Sequence, residues 1–246
     1  MKKSNNKRRS VKLSVLLPGM DDQFLWFSNL YDVSGKTILV VGESSDGLAK
    51  FIEENFQAKI FFIVHEEDAL FRSRLSLSAN KNVTVRLMDS SHTDFKDNFF
   101  DAVYAQASVT VKERRKIAKE FFRITKPEGV LCVGEMCNLK KDVPQVIVDF
   151  WLRSSLAPLF VDELVPFYEA ASWKLLDSKD LSETLDRFYI EFEKKAARNL
   201  PNLPEGEKKL HKKFIHKISH HANVFLRHGG YKNIGFSAML FKKEVT

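Results

Sequence analysis

The sequence has little of what would mark a secreted, membrane or fibrous protein. Two cysteines in 246 residues, Cys132 and Cys137, supply neither a disulfide framework nor a four-cysteine zinc site. Ten glycines and seven prolines exclude collagen-like and linker-dominated chains. No window approaches the ~18 consecutive apolar residues of a membrane span. The longest wholly apolar run, Ile60–Val64, has the length of a strand. The basic start (Lys2, Lys3, Lys7, Arg8, Arg9) runs into Val11–Leu17, too short and broken for the apolar region of a secretory signal. The expectation is a reduced, cytoplasmic protein. A composition 44% hydrophobic and 29% charged excludes disorder. A chain of this length is expected to bury roughly 70–75% of its unfolded surface without staples.

Positive charge is unevenly spread. The formal net charge is +7, but residues 1–10 carry five basic side chains and no acid, and residues 208–246 carry nine Lys/Arg against Glu244 alone. The body between them is therefore acidic, unlike a uniformly basic nucleic-acid binder. Residues 1–10 read as a disordered, solvated arm. The basic C-terminal part is the better candidate for attracting an anionic substrate or partner, with a plain solvated helix face as the alternative.

What is there is an alternation. Thr37–Val41 reads as a buried strand ending at Gly42, and Gly47–Gln57 as a helix with Leu48, Phe51, Ile52 and Phe56 on one stripe. Lys59–Val64 is a second strand, Glu66–Ser76 a helix, and Val83–Leu87 a third strand. Asp101–Ala105, a helix over Lys112–Ile124, a break at Pro127–Gly129 and a strand over Val130–Gly134 follow. Five alternations in about a hundred residues predict βαβ units and a parallel sheet covered on both faces. Residues 140–170 read as helical, Trp173–Asp177 as a sixth strand, Leu181–Arg198 as a helix and Asn199–Gly206 as a linker. A basic amphipathic helix then carries Leu210, Phe214, Ile215 and Ile218 before a last strand, Ile234–Lys242.

In such a sheet, ligands bind beyond the carboxyl ends of the strands where strand order reverses. The first such end reads Val40-Val41-Gly42-Glu43-Ser44-Ser45-Asp46-Gly47. Residues 36–135 resemble class I S-adenosylmethionine-dependent methyltransferases. Lys36–Ala49 is similar to their first motif, and Asp89 matches the acid near the adenine. Asn98–Val103 and Arg123–Gly129 are similar to two later elements. Ala170–Leu181 and the closing strand to Lys242 are similar to the small-molecule members of that family. The resemblance implies an α/β fold: a Rossmann-like, seven-stranded, mostly parallel sheet with helices on both faces. It also implies one domain over residues 11–246, with a cofactor-binding core at 36–135 and helical lid or insertion segments at 136–170 and 178–228. It implies S-adenosyl-L-methionine as cofactor, held by Gly42, Glu43, Ser44, Gly47, Glu66, Asp89, Ser90 and Ala105, and a small-molecule acceptor as partner.

The departures from the family pattern are specific. Val40 stands at the usual acid of the first motif, Ser44 and Asp46 at two of its glycines, and Val64 at the acid that binds the ribose, with His65, Glu66 and Glu67 just beyond. They motivate a second reading, a methyltransferase-like binding or scaffold protein that has lost its cofactor. A third reading is an RNA methyltransferase using the Lys208–Lys217 helix. It is the weaker one, because the basic tail lacks interleaved aromatics and no Asn/Asp-Pro-Pro-aromatic motif follows Tyr104. In-line methyl transfer needs no triad, metal or covalent intermediate, so no catalytic residue is assigned. His65, His92 and Glu135 lie near strand ends as candidates for a base, each with an ordinary loop role as the alternative. His211, His216, His220 and His221 lack an acid or cysteine in the same helix, and no metal site is expected from them.

Overall fold

The structure, a computed structural model, describes residues 13–199 and 219–244. Its elements are α1 (Met20–Leu30), β1 (Thr37–Val41), α2 (Asp46–Phe56), β2 (Lys59–Val64), α3 (Glu67–Ser76), β3 (Val83–Leu87), β4 (Phe100–Gln106), α4 (Arg114–Ile124), β5 (Thr125–Asn138), α5 (Gln145–Ser154), α6 (Val161–Glu169), β6 (Trp173–Asp180), α7 (Thr184–Asn199) and β7 (Ile234–Lys243). Residues 219–227 are also helical. The strands form one seven-stranded sheet in the order β3-β2-β1-β4-β5-β7-β6. The pairings β3-β2-β1-β4-β5 are parallel, and β7 runs antiparallel between β5 and β6.

The central strands are apolar throughout because both faces are covered. Alternate residues of β1 go to opposite layers. Ile38 and Val40 pack with Leu48 and Ile52 of α2, while Leu39 and Val41 pack with Ile117 and Phe121 of α4. Helix α4 presents Ile117, Phe121 and Ile124 at positions i, i+4 and i+7, the stripe its sequence predicts.

Two local expectations are corrected. Pro127–Gly129 does not separate α4 from the next strand. β5 starts at Thr125, which pairs with Phe100, and the ladder resumes at Ala102–Val130 after a register shift. The missing proline N–H is accommodated in that irregularity rather than in a regular ladder. The second correction is α1, a helix that the pattern reading left out. Gly19, with φ 87°, turns the chain into it, and Phe24 and Phe27 are fully buried, with Phe24 edge-on to Tyr104. Asp21 and Asp22 suit its first turn.

Residues 136–170, expected as a helical lid or insertion, comprise the end of β5 followed by α5 and α6. Ile147, Phe150 and Trp151 of α5 share a cluster with Leu185 of α7, Phe225 and Phe236. Leu164 and Tyr168 of α6 join the α4 layer. Among the described residues, no helix is long and apolar enough to cross a membrane. The basic arm at 1–10, residues 200–206 of the linker, His211, His216, and the helix carrying Leu210, Phe214, Ile215 and Ile218 lie outside the described residues.

Candidate active site

Strand order reverses between β1 and β4, so the carboxyl ends of these two strands define the crevice. Gly42 leaves β1 with φ 111°, a conformation L side chains rarely adopt. A Cβ there would lie 2.8 Å from Ser108 Cβ, on the segment that leaves β4. Glycine is required at this position. Gly47 is different: a Cβ there would meet only the Ser14 carbonyl oxygen, at an ordinary 3.6 Å. Ser44 occupies the left-handed region at φ 65° and is exposed. Asp46 turns its carboxylate toward α3, accepting a hydrogen bond from the Ser76 hydroxyl at 3.0 Å. Neither side chain is buried in the bend. Val40 and Val64, at the two customary acid positions, are fully buried core residues.

Ser45 sits at the N-cap of α2, is 1% exposed, and makes no side-chain capping bond. Its hydroxyl and that of Ser108 are buried without a hydrogen-bond partner among the described residues, and so is Gln23 Oε1. Such atoms cost free energy unless something pairs with them. Two of the three flank the Gly42 bend, beside the first turn of α2, whose N–H groups have no intrahelical acceptor.

The other expected residues lie along the same edge. Glu43 follows Gly42 and is partly buried. Burial and the neighbouring Glu66 push its carboxyl above the usual carboxylate range, against the pull of His65 and Arg72. Glu66 is the exposed N-cap residue of α3. Ser90 is 2% exposed and its Oγ is hydrogen-bonded to His65 Nε2 at 3.2 Å. Asp89 accepts the Ser91 N–H at 2.7 Å, which holds its carboxyl below the usual range. Ala105 is fully buried, and its carbonyl accepts Gln23 Nε2 at 3.3 Å.

Glu135, one of the candidate bases, is fully buried at the end of β5 and saturated by partners. Arg114 Nε donates to Oε2 at 2.7 Å and the Tyr168 hydroxyl donates to Oε1 at 2.5 Å. Burial pushes its carboxyl upward, while Arg114 and the hydrogen bonds oppose that shift. Arg114 also donates to the Ala157 carbonyl at 2.7 Å. Glu135 therefore ties α4 and α6 to β5 and has no oxygen free for an acceptor.

Pattern reading did not single out Gln106 and the segment 13–19. Gln106 Nε2 donates to the carbonyls of Pro18 and Met20 at 2.8 and 2.9 Å, and its Oε1 accepts the Tyr104 hydroxyl at 2.7 Å. Val15 N–H donates to Asp21 and Gly19 N–H to Thr184. This segment runs beside the first turn of α2, with Leu13 and Val15 in the same cluster as Leu48 and Ile52, and Pro-Gly before two acids was its sequence signal.

Residues 39–133 match the model of a family described as a methyltransferase domain. An uncharacterized Haemophilus influenzae protein is 23% identical over 146 residues, 56% of this chain and 57% of that protein; the match spans little more than half of either. Among solved structures, Haemonchus contortus phosphoethanolamine N-methyltransferase 2 in complex with S-adenosyl-L-methionine superposes with a TM-score of 0.76, at 13% identity over 93% of this chain and 54% of that one. Geranyl diphosphate C-methyltransferase from Streptomyces coelicolor, in complex with S-adenosyl-L-homocysteine, gives 0.68 at 11% identity over 90% and 75%. The [4+2]-cyclase SpnF gives 0.75 at 19% identity over 92% and 81%. At these identities the shared property is the fold. With the strand order and the Gly42 bend, the matches show that this chain has the class I fold of S-adenosylmethionine-dependent methyltransferases, and that residues 39–133 of it match a methyltransferase-domain model.

Proposed function

We propose that the chain is an S-adenosylmethionine-dependent methyltransferase acting on a small-molecule acceptor. The observation that carries this reading is the bend between Val41 and Leu48. Gly42 lets the bend pack closely against Ser108, the α2 N-terminus has no side-chain cap, and the Ser45 and Ser108 hydroxyls are buried and unpaired among the described residues. These residues suit the polar end of an adenosyl amino acid. Asp89 and Ser90 stand at the neighbouring strand end, where an adenine would lie, and Glu43 or Glu66 is within the same edge for ribose hydroxyls.

When bound, the cofactor supplies an activated methyl group on a sulfonium. The protein's part is to hold the acceptor in line with it, about 3–3.5 Å away, and to exclude water. The 13–19 segment, tied to Gln106 at the end of β4, and the loop after β4 are the parts of the chain nearest to hand for that task. His65 and His92, both exposed, remain the candidates for taking a proton from an acceptor that arrives protonated. Calorimetric titration with S-adenosylmethionine and S-adenosylhomocysteine tests the reading. Saturable binding of both is expected; no heat and no thermal shift at millimolar ligand overturns it.

The scaffold reading draws on one observation: Ser44 holds the left-handed backbone conformation that a glycine customarily supplies. Restoring the usual residues (Val40→Asp, Ser44→Gly, Asp46→Gly) separates the two. Binding that appears only in the restored protein favours the scaffold.

A further inference from the structure

The carboxyl edge of the sheet is electrically divided. At the ends of β1, β2 and β3 stand Glu43, Glu66, Glu67, Asp68 and Asp89. Beyond β4 the sign reverses. Lys112, in the turn before α4, and Arg115, Lys116 and Lys119 on α4 are all exposed. None of the four makes an ion pair among the described residues. Arg114 is neutralised by Glu135 and faces inward, and Glu113 is the one exposed acid in the segment.

This arrangement costs stability. Cations sit in the first turn of α4, where the helix dipole disfavours positive charge and the N-cap Glu113 is the one acid to offset them. Arg115–Lys119 and Lys116–Lys119 are four and three residues apart, so like charges face one another along the helix. Helices α1 and α3, by contrast, carry two acids each in their first turns. Of the partly buried aromatics here, Phe122 is packed edge-on to Trp173 with Lys243 over its ring, and Phe167 packs against Tyr168 with the inward-facing Arg114 over its ring. No exposed large apolar residue of α4 accompanies the cations, as insertion into a membrane would need.

We infer that the basic rim formed by Lys112 and Arg115, with Lys116 and Lys119 extending its field, binds the negatively charged group of the acceptor, a carboxylate or a phosphate. The inference rests on the methyl-transfer reading above and names its acceptor class. The acidic side of the crevice would face the nucleoside and its sulfonium, and the basic side the anion. Ser108, unpaired on the segment between Gly42 and Lys112, offers a hydroxyl where the two sides meet. Positive charge at the rim also raises the encounter rate of an anionic ligand, an effect that fades with salt.

The test titrates the full chain with S-adenosylhomocysteine, then with inorganic pyrophosphate and, in parallel, with RNA, followed by amide NMR and calorimetry. The expected result is saturable binding that moves the signals of residues 108–116, and that weakens at least tenfold in Lys112→Glu/Arg115→Glu. The nucleoside affinity of that variant should stay within twofold of wild type. No response to pyrophosphate, or one equal in the variant, overturns the inference. So does retention of RNA without any pyrophosphate response, which assigns the rim to a nucleic-acid backbone. Pyrophosphate binding with no S-adenosylhomocysteine binding upholds the anion site and overturns the methyl-transfer reading alone.

Discussion

Two buried polar clusters lie on the carboxyl edge of one sheet, and they are built in opposite ways. At the end of β5, Glu135 is surrounded by Arg114 and Tyr168, and its carboxylate oxygens are both engaged. At the end of β1, the hydroxyl oxygens of Ser45 and of the partly buried Ser108 are hidden too but have no partner among the described residues. The first cluster completes itself within the chain and so reads as structure. The second leaves hydrogen-bonding capacity unused at the point where strand order reverses, which supports the proposed seat of a ligand there. The lesson is that burial and polarity alone do not mark a site. The unspent capacity does.

Breaking the saturated cluster should have the largest effect on stability. Arg114→Met strands the Glu135 carboxylate and should cost about 3–5 kcal/mol in chemical denaturation. Whatever folds should keep its nucleoside affinity, since neither residue borders the Gly42 bend. A comparable loss of ligand affinity would dissolve the contrast between the clusters. Gly42→Ala comes next. The positive φ and the 2.8 Å approach to Ser108 should together cost of order 1–3 kcal/mol and abolish S-adenosylhomocysteine binding, read by thermal shift and calorimetry. Unchanged stability and affinity would mean that the bend is less tightly built than its geometry shows. The smallest effect is a gain. Ser44→Gly relieves a left-handed serine and should stabilise the fold by about 1 kcal/mol, with affinity equal to or above wild type. A loss of affinity would instead give the Ser44 side chain a role at the ligand.

Much of the fold was legible in the sequence. The runs Thr37–Val41 and Lys59–Val64 have no polar interior position, which fits strands covered on both faces, and their bounds are those observed. Asp101 begins the expected fourth strand, and the β4 ladder shows one residue more at each end. Helix α1 was not legible because its stripe is interrupted by Gln23, a polar residue that is fully buried through bonds to Ala105 and Cys132 more than eighty positions away. Long-range pairing explains the site's partial legibility as well. Gly42 announced the bend by residue type, whereas Ser108 matters only because it packs against Gly42. Likewise, Glu135 looked like a possible base until Arg114, Thr110 and Tyr168 were seen around it. Residue type reports what a group can do, and only the fold reports whether it is already occupied.

The most direct test maps the backbone amides by NMR while S-adenosylhomocysteine is added to the wild type and to Ser45→Ala/Ser108→Ala. Signals of residues 42–48 and of Ser108 should move in the wild type, those of Arg114 and Glu135 should stay, and the double variant should bind at least tenfold more weakly while unfolding at an unchanged or higher temperature. Ligand-induced shifts centred elsewhere, or a double variant that binds as tightly as wild type, would contradict the claim that the unpaired hydroxyls beside Gly42 form the cofactor's seat.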